Sequence, residues 1–248
     1  MMQITEIFRS IQGESTYAGL PCVFVRLTGC NLRCTWCDTA YAFHGGSKMS
    51  IEEVVARVHE LSSTPVSDGH EAALSPGRPA AVVPFVGALV DPLVELTGGE
   101  PLLQPDAIGL AQRLTAENYT VLVETSGERF VGMLPREVVK IVDVKCPDSG
   151  EGGTFLLDNL SAIDTKDEIK FVIGSRRDYE FARDFSSQHE LERRVRQILF
   201  SPVFPDPHGS WNGLDARLLS EWILADRLPV RLGLQLHKFI WHPSTRGV

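Results

Sequence analysis

Short apolar runs alternate with amphipathic stretches along most of the chain. Residues 23–28 predict a strand. Residues 50–61 predict a helix: Ser50 is a candidate N-cap, Glu53 completes a capping box, and Val54, Val55, Val58 and Leu61 share one face. Strands are expected over 93–97, 120–125, 138–145, 168–173, 197–201 and 230–237, and helices over 106–117 and 214–226. Repeated β-α units imply a parallel sheet. Six or seven strands fall short of the eight that close a barrel. The expected fold class is therefore α/β, an open, partial parallel β/α barrel. Residues 62–90 interrupt the pattern. They are rich in Pro, Gly, Ala and Ser and weakly periodic, and they read as an insertion, partly loop, within one domain spanning 1–248.

Strand faces add chemistry. In 230–237, Val230, Leu232, Leu234 and Leu236 alternate with Arg231, Gly233, Gln235 and His237. The apolar face should pack on helices and the polar face should look inward. Arg26 and Thr28 share a face, as do Glu124 and Ser126, and Asp143 and Lys145; Lys170 opposes Phe171 and Ile173. Packed barrel interiors are dominated by Val, Ile and Leu. So many inward polar groups predict a lumen that holds a polar ligand.

Composition narrows the class. The chain has 248 residues, 43% hydrophobic, with a formal net charge of -8. That charge argues against general nucleic-acid binding, which needs Lys and Arg to neutralise phosphates. Arg193-Arg194-Val195-Arg196 reads as a solvated segment. No run approaches the ~18 apolar residues of a membrane span, and the first residues carry neither a charged leader nor an apolar stretch. A reduced, cytoplasmic setting without a membrane partner is expected.

Cys30, Cys34 and Cys37 form C-x3-C-x2-C. Three thiolates can hold three corners of a four-iron–four-sulfur cluster and leave one iron open to a small molecule. A structural zinc site wants four ligands, and His44 beside the three thiols could complete one. Five cysteines, an odd number, argue against a disulfide framework. Cys22 and Cys146 stand apart and read as small buried residues. Thr97-Gly98-Gly99-Glu100-Pro101 follows a predicted strand. Its glycines permit close backbone approach, and Glu100 offers a carboxylate to an ammonium. Taken alone it is also an ordinary turn.

The cysteine run, with Trp36 before its last thiol, closely resembles that of the radical S-adenosylmethionine (SAM) enzymes, and Gly-Gly-Glu-Pro resembles their SAM amino-group site. Six segments occur in order: Glu6-Ile-Phe-Arg-Ser-Ile-Gln-Gly-Glu14, the run ending Cys37-Asp-Thr39, Leu96-Thr-Gly-Gly-Glu-Pro101, Asp143-Val-Lys-Cys-Pro147, Ser201-Pro-Val-Phe204 and Gln235-Leu-His-Lys238. Together they look like the 7-carboxy-7-deazaguanine synthase family, over nearly the full length.

The resemblance implies a carbon–nitrogen lyase of queuosine precursor biosynthesis. Such an enzyme converts 6-carboxy-5,6,7,8-tetrahydropterin to 7-carboxy-7-deazaguanine with loss of ammonia. It uses a 4Fe-4S cluster, SAM regenerated in each cycle, and Mg2+. Cys30, Cys34 and Cys37 would hold the cluster, and Thr39 the magnesium. Trp36, Asp38, Gly99, Glu100, Glu124, Ser126, Lys145, Ser201 and Pro202 would meet SAM. Ile11, Gln12, Gly13, Glu14, Arg26, Thr97 and His237 would meet the pterin. A homodimer and an electron donor such as flavodoxin or ferredoxin are also implied. His242 reads as a surface residue. A rival is a glycyl-radical-enzyme activase, whose SAM-contacting motif Asp143-Val-Lys145 resembles; Ser10-Ile-Gln-Gly-Glu14 and Thr39 argue against it.

Overall fold

The computed structural model describes residues 1–63 and 92–248. Among these residues, nine strands form one sheet in the order β3-β1-β2-β4-β5-β6-β7-β8-β9. The strands are β1 (Met2–Ile11), β2 (Pro21–Leu27), β3 (Ser47–Met49), β4 (Leu93–Gly98), β5 (Thr120–Thr125), β6 (Val139–Asp143), β7 (Glu168–Ile173), β8 (Gln197–Pro202) and β9 (Arg231–Leu232). From β2 to β9 every neighbouring pair is parallel. β1 runs antiparallel to both β2 and β3. The terminal strands β3 and β9 do not pair with each other, so the barrel is open, as the strand pattern predicts. The antiparallel flank was not predicted. A register shift between Ile4 and Glu6 breaks the alternation of β1, which hides it from a period-two reading.

Helices α1 (Ile51–Ser63), α2 (Asp106–Ala116), α3 (Arg176–Gln188) and α4 (Ala216–Asp226) pack outside the sheet. α1 starts at the expected capping box: Ser50 N donates to Glu53 Oε2 at 2.7 Å, and Glu53 N donates to Ser50 Oγ at 3.2 Å. Val54, Val55 and Val58 are buried, and with Leu110 and Leu114 of α2 they cover Val23, Val25, Val94 and Leu96. Ser62 and Ser63 belong to α1 rather than to a loop; the rest of the expected insertion lies outside the described residues. Among the described residues, no helix is long and apolar enough to cross a membrane.

The last expected strand is corrected. Only Arg231 and Leu232 pair with β8, and a short helix α5 (His237–Ile240) follows instead. Gly233 lets the backbone pass close to Ser201 Oγ, where a side chain would collide. The chain then leaves the sheet, and Leu236 N donates to Gly13 O at 2.9 Å.

Inside the sheet the lumen is layered. Its floor is apolar: Cys22, Phe24, Leu93, Leu122, Val139 and Ile141 form a buried cluster separate from the helix-facing core. Phe8 stacks on Phe24 with ring centroids 5.1 Å apart. Cys22 is thus a packing residue, as expected, and Cys146 is buried in the helix-facing core. Above the floor the inward side chains turn polar.

Candidate active site

A cavity of about 510 Å³ opens at the carboxyl ends of the parallel strands. The loop that follows β2 brings Cys30, Cys34 and Cys37 to its wall, all partly buried. Gly99 makes this loop possible: a Cβ there would overlap Gly29 O and lie 2.7 Å from Cys30 Cβ. Gly98, with φ +154°, passes equally close to Leu27 O. Burial pushes all three thiols up, Cys34 to about 11, with Lys145 partly offsetting it. Among the described residues, no three His, Cys, Asp or Glu side chains converge on a point that could hold a single ion. Three thiols on one wall of the cavity suit a cluster that takes each thiolate on a different iron. His44, the possible fourth zinc ligand, is exposed and does not line the cavity.

Beside the thiols, Lys145 Nζ pairs with Asp143 Oδ2 at 2.7 Å. Asp143 Oδ1 is buried with no hydrogen-bond partner. Asp143 lines the cavity, and an unpaired acceptor in its wall fits a ligand that brings a donor, as the ammonium or ribose of SAM would. Trp36 lies against Gly174, where a Cβ would come within 3.0 Å of the indole.

Glu100 does something other than offer a free carboxylate. It is fully buried and accepts four hydrogen bonds, from Leu102 N (3.0 Å), Thr125 Oγ1 (2.8 Å), Ser126 N (2.8 Å) and Ser126 Oγ (2.7 Å). It does not line the cavity; Gly98, Gly99 and Ser126 do. Ser201 and Pro202 also lie off the lining, which their neighbours Val203 and Phe204 provide.

Deeper in, the loop after β1 meets the strands. Glu14 Oε2 pairs with Lys170 Nζ at 3.0 Å, and Glu14 Oε1 accepts from Gln235 Nε2 at 2.9 Å. Lys170 also pairs with Glu124, and Gln12 Nε2 donates to Glu95. Burial would raise the Glu14 carboxyl, but Lys170, with His237 and Gln235, more than offsets it and lowers the value to about 2. Glu95 moves the other way, because burial and the neighbouring Glu124 and Glu14 favour its protonated form. His237 packs on Gly13, and burial holds its imidazole below the usual value and so neutral at pH 7. Lys170 points inward, as its place opposite Phe171 and Ile173 predicts, but its carboxylate partners were not foreseen; Glu95 was not singled out from sequence, although it shares the period-two face of Thr97.

At the mouth, Arg26 Nε pairs with Glu6 Oε1 at 2.8 Å, and Tyr41 Oη donates to the same oxygen at 2.7 Å. Lys238 Nζ pairs with Asp38 Oδ2 at 2.5 Å, and this ammonium lowers the Asp38 carboxyl strongly against the effect of burial. Thr39 Oγ1 donates to Asp38 Oδ1 at 2.8 Å. Residues 243–248 also line the mouth. Ile11, Gln12, Gly13, Glu14, Arg26, Trp36, Asp38, Thr39, Thr97, Gly99, Glu124, Ser126, Lys145 and His237 thus share one cavity with the three cysteines. His242 is exposed, as expected.

Known proteins resemble this chain in sequence and in fold. Residues 24–144 match the model of the Radical SAM superfamily. The chain is 52% identical, over all of both chains, to a 7-carboxy-7-deazaguanine synthase of Koribacter versatilis (strain Ellin345). It is 39% identical to a protein of the same name in Chlorobaculum tepidum, covering 100% of this chain and 97% of the relative. In fold it is similar to QueE from Escherichia coli, with a TM-score of 0.66 and 23% identity over 95% of this chain and 94% of that one.

Proposed function

We propose, on the premise that this chain belongs to the 7-carboxy-7-deazaguanine synthases of the radical SAM superfamily, that it converts 6-carboxy-5,6,7,8-tetrahydropterin to 7-carboxy-7-deazaguanine and ammonia. The observation that carries the reading is one cavity with three thiols on one wall and a polar well of Gln12, Glu14, Glu95, Glu124 and Lys170 beneath them.

Cys30, Cys34 and Cys37 would hold the cluster. A reduced cluster with SAM supplies a 5′-deoxyadenosyl radical able to take a hydrogen atom from the substrate. The chain's own residues bind and orient around it. Trp36 offers an aromatic face to the adenine. Lys145 and Asp143 offer a cation and an acceptor to the polar groups of SAM, and Gly99 lets backbone approach its amino end. Glu100 holds Ser126 in place from behind. In the well, Gln12, Glu14 and Glu124 meet the donor edge of a pterin, with Thr97 and the neutral imidazole of His237 beside it. Arg26 faces the carboxylate. Thr39 offers one hard oxygen to Mg2+, which the substrate carboxylate and water would complete. The apolar floor keeps bulk water from the reacting atoms.

The chain is taken as one domain acting as a homodimer, reduced by a flavodoxin or ferredoxin. The test is an anaerobic assay of the iron-reconstituted, reduced protein with SAM, Mg2+ and 6-carboxytetrahydropterin, read by mass spectrometry. Formation of 7-carboxy-7-deazaguanine without matching SAM loss is expected. Cleavage of SAM without that product would overturn the substrate and favour the activase reading.

A further inference from the structure

Five cationic side chains that are permanently charged at neutral pH line the cavity: Arg26, Lys145, Lys170, Lys238 and Arg246. Four already have carboxylate partners. Arg26 has Glu6, Lys145 has Asp143, Lys170 has Glu14 and Glu124, and Lys238 has Asp38. Arg246 differs: among the described residues, no carboxylate forms an ion pair with it. Its guanidinium carbon instead lies 4.1 Å from the centroid of the Tyr41 ring. The same ring has the Arg26 guanidinium carbon 5.9 Å from its centroid.

Stacking uses the face of a guanidinium and leaves its N–H donors, which lie in the plane, available at the edge. Two guanidiniums held near one ring also repel each other, and an anion bound beside them relieves that repulsion. Tyr41 is itself fixed through its hydroxyl to Glu6, the partner of Arg26. The Arg246 fork is therefore pre-positioned at the mouth, and binding an anion there requires no existing ion pair to break.

We propose that Arg246 binds the carboxylate of the substrate, completing with Arg26 a two-arginine clamp built on Tyr41. The assignment rests on the reading of the substrate as a carboxylated pterin. It deepens that reading by naming a positioning residue outside the expected set. SAM also carries a carboxylate, so the test must separate the two ligands.

The experiment is anaerobic calorimetry on the cluster-reconstituted protein, titrated with SAM alone. With SAM bound, it is then titrated with 6-carboxytetrahydropterin and with tetrahydropterin lacking the carboxylate. Wild-type protein is expected to prefer the carboxylated pterin. In Arg246→Gln that preference should narrow by about tenfold or more, the scale of a charge-assisted hydrogen bond. SAM affinity should stay within twofold, and Arg246→Lys should recover part of the preference. The proposal is overturned if Arg246→Gln keeps the wild-type preference, weakens both pterins equally, or weakens SAM. If wild-type protein binds neither pterin, or does not distinguish them, the reading of the substrate falls and the clamp falls with it.

Discussion

Gly13 and His237 occupy one space: a Cβ at position 13 would overlap Nδ1 of the imidazole and lie 3.0 Å from the His237 backbone nitrogen. The glycine is required by this close approach. Its φ is not in the left-handed region. Gly13→Ala should push His237 and the backbone behind it out of the well. Pterin turnover is expected to fall about tenfold or more, since small misplacements of positioning groups are costly, while SAM affinity stays unchanged. Steady-state kinetics beside SAM titration checks this; equal loss of both would mean that the substitution disturbs the whole cavity.

Each of Cys30→Ala, Cys34→Ala and Cys37→Ala should lose both reconstituted iron and SAM cleavage. Cys22→Ala and Cys146→Ala should keep both, because those thiols are buried in packing clusters. Iron content per chain and 5′-deoxyadenosine yield are the readouts. Full activity in any of the first three would remove that residue from the cluster.

Lys170 is 4% exposed and holds two carboxylates, Glu14 and Glu124. Lys170→Met should cost about 3–5 kcal/mol at pH 7, because it leaves buried charge without its partner. The pH dependence has a definite sign. In the wild type the Glu14 carboxyl is lowered from 4.5 to about 2, so its stabilisation is complete above pH 4.5 and is lost as pH falls toward 2. Without Lys170 the same carboxyl is raised by burial, and protonation then relieves the variant. The stability gap should therefore narrow as pH drops from 7 to 5. Thermal melts across that range decide; a constant gap would mean that the ammonium does not control Glu14.

Glu100→Gln places an amide where four donors converge on a carboxylate. It should destabilise the fold by about 1–3 kcal/mol and weaken SAM through displacement of Ser126. Denaturant unfolding and SAM titration test it together. Unchanged stability with weakened SAM would assign Glu100 to direct contact instead.

Much of the scaffold was legible because local signals agreed with tertiary packing. The capping box at Ser50 and Glu53 marks the start of α1, and the β-branched runs of β5 and β7 give their observed bounds. α3 was missed because six of the 13 residues of Arg176–Gln188 are charged and obscure its apolar face, although Ser175 caps it by accepting from Asp178 N. The alternation over 230–237 is real, but only two residues of it find a partner strand. Gln235 still reaches Glu14, and His237 reaches Gly13, by way of a turn rather than a strand. The cavity motifs were readable as contiguous runs. Glu95, Tyr41 and Arg246 were not, because their roles exist only through neighbours distant in sequence.

The two ends of the sheet never meet, and what spans the lumen is the loop after β1. It is fastened by Gln12 to Glu95, by Glu14 to Lys170 and Gln235, by Thr16 to Glu168, and by Gly13 O to Leu236 N. A seam closed by side chains and one backbone bond outside the sheet can part without breaking a ladder hydrogen bond. Residues 12–16 and 235–238 are therefore expected to open together, ahead of the central strands. Their amides should exchange with solvent together, sooner than those of β5 and β6. Such an opening would leave the order of the nine described strands intact.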